Sequence, residues 1–239
     1  MRMFLTILGN NGPFPAADGA CSGYLLESDS ARTRLLLDLG PGSLSRLMGL
    51  VSPARLTGVV VSHLHFDHMS DLLPMQYALQ FSDRERPLPV FAPRTPERVR
   101  ALLECPWYDL FDHADITLEE MRLSFIPATH PVEGSCVRVE CDGASMVFTG
   151  DTNVNPALEL FADGCDLLLA DAGLPSADWN ERKPHLSAAL CGQIARDARA
   201  GALLLTHLNP ACDPQTLIEE ARAAYPSAQL AVPGMRVRV

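Results

Sequence analysis

Apolar residues in this chain come in short runs broken by glycine, proline and polar clusters. Phe4 to Leu8, Gly23 to Glu27 and Arg34 to Asp38 read as three opening strands, with Gly9-Asn10-Asn11-Gly12 as a loop between the first two. SLSRLMGLV, from Ser43, has helical spacing. Thr57 to Ser62 reads as a buried strand, MSDLLPMQYALQF from Met69 as a helix, and Val90 to Ala92 as a short strand. Thr95, Pro96 and Glu97 have the pattern of an N-cap with proline at the first helical position, which predicts that RVRALLE is helical. In SCVRVECDGASMVFTGD two alternating runs flank Asp142-Gly143, the signal of a hairpin with a primed two-residue turn. Leu123 to Ile126 and Cys165 to Ala170 are further apolar runs. Ser187 is placed to cap a helix through Ala200, Ala202 to Leu205 reads as a strand, Gln215 to Tyr225 as a helix and Leu230 to Val232 as a last strand. Strands and helices mix without strict βαβ alternation, which predicts a layered sheet structure with helices outside.

The chain has 239 residues, 47% of them hydrophobic, enough for one globular domain over 1–239 with a sizeable core. The net charge of -10 argues against a general nucleic-acid binder, because an acidic surface repels phosphate backbones. Seven dispersed cysteines without a CxxC pair read as buried free thiols rather than a disulfide framework. No signal peptide or membrane span is recognisable, so a cytoplasmic location and no membrane partner are expected.

Chemistry enters after the Thr57 to Ser62 strand. His63, His65, Asp67 and His68 crowd into six positions, a density that neither a core strand nor a surface loop needs. Further candidates sit past other strands: His130 after the Leu123 run, Asp151 after the hairpin, and His207 after Ala202 to Leu205. Such ends can converge on one sheet edge. Imidazole and carboxylate without thiolate suit zinc, manganese or iron. Five histidines and two aspartates exceed the needs of one tetrahedral ion and suit two divalent ions, with zinc the expected metal.

HLHFDH resembles the HxHxDH signature of the metallo-β-lactamase superfamily. The resemblance extends over LLLDLGPG, His130, the TGD ending at Asp151, and LLTHL with His207. It implies a four-layer αββα sandwich with a dinuclear site at one edge. His63, His65 and His130 would hold one ion, Asp67, His68 and His207 the other, and Asp151 would join them, with Asp67 counted as catalytic as well. KPHLSAAL is similar to the phosphodiesterase branch that includes ribonuclease Z. There a histidine followed by xS, matched by His185 and Ser187, is catalytic rather than metal-binding. The opening also looks like a group of small bacterial metal-dependent hydrolases. The span from His130 to Asp151 has room only for two strands and a turn, not the long arm with which ribonuclease Z grips transfer RNA.

The resemblance therefore implies hydrolysis of a small or exposed phosphodiester by a metal-bridged hydroxide. His185 would serve the leaving oxygen, with Asp171 a candidate partner for its imidazole. Asp71 is a candidate acceptor behind a ligand imidazole, and Arg182 and Lys183 are candidate contacts for substrate phosphate. CPWYDLF around Trp107 and the segment around Trp179 are candidate lids, while His113 reads as a surface residue. The alternatives are thioester or lactone hydrolysis, transfer RNA 3'-end cleavage, a di-iron oxygen-reducing protein, and a non-catalytic binding module. A homodimer is common in the branch.

Overall fold

A computed structural model describes residues 3–239. In chain order the first half contains β1 (Met3–Gly9), β2 (Gly23–Ser28), β3 (Arg34–Leu39), α1 (Ser43–Met48), β4 (Gly58–Val60), α2 (Phe66–Met69), α3 (Leu72–Gln80), β5 (Leu88–Phe91), α4 (Glu97–Arg100) and β6 (Tyr108–Phe111). The second half contains β7 (Ile116–Leu118), β8 (Met121–Pro127), β9 (Ser135–Cys141), β10 (Ala144–Phe148), α5 (Leu158–Phe161), β11 (Leu167–Asp171), α6 (Ala188–Asp197), β12 (Leu203–Thr206), α7 (Pro214–Ala224), β13 (Gln229–Leu230) and β14 (Arg236–Arg238).

The strands form two mixed sheets, ordered β14-β1-β2-β3-β4-β5-β6 and β13-β12-β11-β10-β9-β8-β7. Each sheet has an antiparallel part, where hairpins suffice, and a parallel part entered by longer crossovers. The sheets pack face to face with helices outside, the four-layer sandwich that the resemblance implies. No helix among the described residues is long and apolar enough to cross a membrane.

This layering explains why the parallel strands read as continuous apolar runs: they are buried on both faces. In β3, Leu35 and Leu37 enter the core between the sheets while Leu36 faces the outer helices. In β11, Leu167 and Leu169 point inward and Leu168 and Ala170 meet the layer of α6 and α7. The hairpin turns at Asp142-Gly143 with positive φ at both residues, 51° and 82°, as the sequence predicts. Ser187 caps α6 by accepting from the Leu190 N–H at 3.3 Å. Across the sheets, the Tyr24 hydroxyl and Thr206 Oγ1 lie 2.6 Å apart in a hydrogen bond that joins β2 to the end of β12.

Several expectations need correction. Thr95 does not cap a helix: Pro96 occupies that position, and the Thr95 hydroxyl instead donates to Glu133 at 2.8 Å. The helix expected from Met69 starts later: α2 ends at Met69, and α3 covers Leu72–Gln80. CPWYDLF is not a lid. Trp107 packs against the outer core, and Tyr108 to Phe111 pair with β5 as an edge strand tied to α3 by a hydrogen bond from the Tyr108 hydroxyl to Leu72 O. His113 is no free surface residue. Its ring stacks on Phe125 and bonds to Val61 O at 3.0 Å and Ser135 Oγ at 2.8 Å.

Candidate active site

The histidine-rich stretch follows β4 directly. The short apolar strand ends, His63 makes an isolated bridge to Gly134, and His65 takes the N-cap position of α2. One turn of helix then brings Asp67 and His68 inward, both buried. The second sheet supplies single residues. His130 lies beyond β8, Asp151 beyond β10, and His207 directly after β12 with φ of 55°.

These residues converge into groups whose ligand-capable atoms lie within 4.8 Å of one another. His63, His65, His130 and Asp151 form one. Asp67, His68, Asp151 and His207 form a second, and Asp151, Asp171, His185 and His207 a third. Asp151 belongs to all three. In the first group His63 Nε2 lies 2.9 Å and His130 Nε2 3.3 Å from His65 Nδ1. In the second, His207 Nε2 is 3.1 Å from Asp67 Oδ2, and His68 Nε2 is 3.3 Å from Asp151 Oδ1.

Electrostatics separate the groups. Burial, reinforced by neighbouring imidazoles, holds His63, His65 and His130 below ordinary histidine, so their lone pairs are left facing one another. In the second group burial again opposes charge, but the carboxylates override it. Asp151 and Asp38 lift His68 well above the ordinary value, and Asp151, Asp171 and Asp67 lift His207 to about 10. His68 Nε2, Asp151 Oδ1 and His207 Nδ1 are buried without a hydrogen-bond partner. Leaving such atoms unpaired costs about 1–3 kcal/mol each. Convergent imidazole lone pairs, carboxylates that draw positive charge, and orphaned buried donor atoms are what divalent cations satisfy, so the residues fit a metal centre.

Behind the groups stands a residue to which sequence reading gave no role. Asp38, at the end of β3 with φ of 54°, accepts from His68 Nδ1 at 2.7 Å, from Ser62 N at 2.6 Å and from Ser62 Oγ at 2.7 Å. Ser62 Oγ in turn lies 3.2 Å from His63 Nδ1, so it accepts that proton. Asp38 thereby turns the Nε2 atoms of both imidazoles toward the cluster. An aspartate closing the buried run Leu35 to Leu37 was the available signal. Asp71, expected in this position, instead accepts from Leu44 N at 2.9 Å and holds the start of α1.

Asp171 does take the expected partner. His185 Nδ1 lies 3.0 Å from its Oδ2 and 3.7 Å from Asp151 Oδ2. Burial disfavours the His185 cation, yet Asp171 and Asp151 raise it above ordinary histidine. The same two carboxylates face His207, whose ring stacks on His185 at 4.9 Å. Arg182 and Lys183 are exposed, in the turn before His185, and no carboxylate pairs with either among the described residues.

A family described as "Beta-lactamase superfamily domain" matches residues 33–208. The chain belongs to this family. With its fold and its histidine–aspartate clusters, it is a metal-dependent hydrolase. It is similar to the probable metallo-hydrolase YhfI of Bacillus subtilis, 29% identical over 231 residues covering 93% of this chain and 94% of that protein. The crystal structure of YhfI superposes with a TM-score of 0.94, each chain covered in full. Ribonuclease Z of Mycobacterium bovis is 29% identical over 246 residues, covering 88% of this chain and 87% of that one. The short form of human tRNase Z shares the fold, with a TM-score of 0.79 at 19% identity, covering 98% of both chains.

Proposed function

We propose that the protein is a dinuclear metal-dependent phosphodiesterase that hydrolyses a small or exposed phosphodiester. The observation that carries this reading is the Asp171–His185 pair beside the ligand groups. An alkoxide leaves a phosphodiester poorly unless it gains a proton or a positive neighbour, whereas a thiolate leaves a thioester without help. With Nδ1 donating to Asp171, His185 keeps Nε2 as the atom that offers a proton to the leaving oxygen.

His63, His65, His130 and Asp151 would hold one ion, and Asp67, His68, His207 and Asp151 the other. Zinc suits these imidazole and carboxylate donors. Such ions supply Lewis acidity that acidifies water and offsets phosphoryl charge. The protein's part is orientation. Asp38 fixes the His63 and His68 rings, Asp171 fixes His185, and exposed Arg182 and Lys183 are available to substrate phosphate. The name ribonuclease Z, borne by a relative, supports chemistry on phosphodiesters. The net charge of -10 favours a small diester over a long polyanion.

A panel tests this under one metal condition: a chromogenic aryl phosphodiester, cyclic nucleotides, a thioester and precursor transfer RNA. Diester turnover, lost roughly 10²–10⁴-fold in His185→Ala with metal content retained, supports it. Position-specific cleavage of transfer RNA, or activity confined to the thioester, overturns it. Because the third group includes His185, loss of metal in His185→Ala would make that histidine a ligand and return thioester hydrolysis to the front.

A further inference from the structure

We infer that Asn153 is a positioning residue that holds His185 in register with the ligand groups, an inference that rests on the role given to His185 above. Asn153 is 2% exposed, and its side chain uses every hydrogen-bonding site on one stretch of chain or its own neighbour. Nδ2 donates to Lys183 O at 2.5 Å and to Asn180 O at 3.1 Å. Oδ1 accepts from Trp179 Nε1 at 3.0 Å and from Val154 N at 2.7 Å. Three of these four bonds grip residues 179–183, an otherwise exposed turn that leads straight into His185. Without Asn153, residues 179–183 would keep only the turn's own Asn180 contacts, and the backbone entering His185 would be anchored only from Pro184 onward, by His130 and the Leu174–Ser187 bridge.

The grip is tied to the rest of the site through adjacent backbone. Asn153 N donates to Thr129 O, and Thr129 N donates to Thr152 Oγ1, both at 2.9 Å, which sets the residue before His130. Thr152 N donates to Asp171 Oδ2 at 3.2 Å, the oxygen that also meets His185. His130 Nδ1 donates to Pro184 O at 3.2 Å. Asp151, Thr152 and Asn153 thus index the shared carboxylate, the partner of His185 and the turn carrying His185 to one short segment. Trp179, a candidate lid by sequence, is the apolar end of this grip, its indole N–H committed to Asn153.

The test uses the metal-loaded full chain and whichever substrate of the panel it turns over. Asn153→Ala and the near-isosteric Asn153→Leu are compared with His185→Ala and with the Asn153→Ala/His185→Ala double variant. Metal content, amide hydrogen exchange, kcat and KM are measured on each. The expected result is exchange over residues 179–185 faster by at least about tenfold, as for a segment that opens locally, with residues 58–69 unchanged. Metal content stays at the wild-type level. The kcat value falls roughly 10–10²-fold, the loss caused by a misplacement near 1 Å, while KM changes little. The double variant is no slower than His185→Ala. Trp179→Phe, which removes one bond of the grip from the other side, gives a smaller loss of the same kind and serves if the Asn153 variants fold poorly. Unchanged kcat with raised exchange overturns the inference, as do loss of bound metal and additive losses in the double variant. Full activity in Leu but not Ala would also overturn it, since Asn153 would then only fill space. Failure of the phosphodiesterase reading shows separately, in which substrate is turned over. A fully active His185→Ala overturns both.

Discussion

The first and second ligand groups share Asp151 but are built differently. The first sets three imidazoles around one carboxylate, and His65 and His130 in it reach solvent. The second has two carboxylates and two imidazoles, all buried, with Asp38 bonded directly to His68. One group is shallow and carries one carboxylate; the other is deep and carries two. Charge and burial therefore predict two cation sites of unequal strength, the second group retaining its ion under conditions that strip the first.

The most severe way to break that asymmetry is Asp151→Ala, which removes the only residue common to both groups. Both sites should empty, and turnover should fall by on the order of 10³-fold or more, since the ions supply several kcal/mol of charge stabilisation. Metal analysis after desalting checks this; an unchanged count would mean that the groups do not share a ligand. Next in size is Asp38→Ala, which unlocks His68 directly and His63 only through Ser62. Affinity at the second group should drop about 10–100-fold, the usual effect of losing the acceptor behind a ligand imidazole, and less at the first. Competitive titration with a metal-sensing dye resolves the two steps, and equal losses would erase the distinction. Under a chelator the wild type should release its ions in two phases, and His65→Ala should lack the fast one.

The smallest effect on metal binding and turnover lies outside both groups and separates failure of the site from failure of the fold. Burial holds neutral His113 down to about 4, although its bond to Val61 O pulls the other way. In the unfolded chain histidine titrates near 6.5, so the unfolded state binds more protons as pH falls. Above about pH 6.5 this residue adds no pH dependence. Stability then declines toward pH 4, by roughly 3 kcal/mol in all at about 1.4 kcal/mol per unit. His113→Gln should flatten that limb of a denaturation-versus-pH curve while lowering stability at neutral pH. An unchanged acid slope would show that other groups cause the decline.

The contrast between the sheets also explains what could be read from sequence. His63 to His68 were legible because one strand end and one helical turn carry them consecutively. His130, Asp151 and His207 arrive singly, each from a different strand, and needed the first cluster to give them meaning. Continuous apolar runs such as Leu35 to Leu37 and Leu167 to Ala170 disclosed doubly covered strands. Asp38 and Asn153 stayed hidden because their partners lie 24 to 30 positions away, at Ser62, His68, Asn180 and Lys183. Asp71 misled for the same reason: helical spacing placed it near Asp67 but could not reveal the N–H of Leu44. Residues 108–111 were misread because three apolar or aromatic positions on an edge strand look like a flap when the strand they pair with is unknown.

The pairing of β14 with β1 has a consequence for the birth of the molecule. Phe4 lies opposite Arg238, and Val239 N donates to Met3 O, so the last strand closes the sheet that the first strand begins. On a ribosome adding about 5–20 residues per second, β1 waits roughly ten seconds or longer for that neighbour. Until then one flank of the first sheet carries unpaired amides, an invitation to strands from other chains. Arg236, stacked on Phe4 at 4.3 Å, arrives with the strand that ends the exposure. Truncation before Arg236 would therefore do more than trim a tail: it would make that temporary edge permanent, and aggregation during synthesis, rather than slower turnover, should be its first symptom.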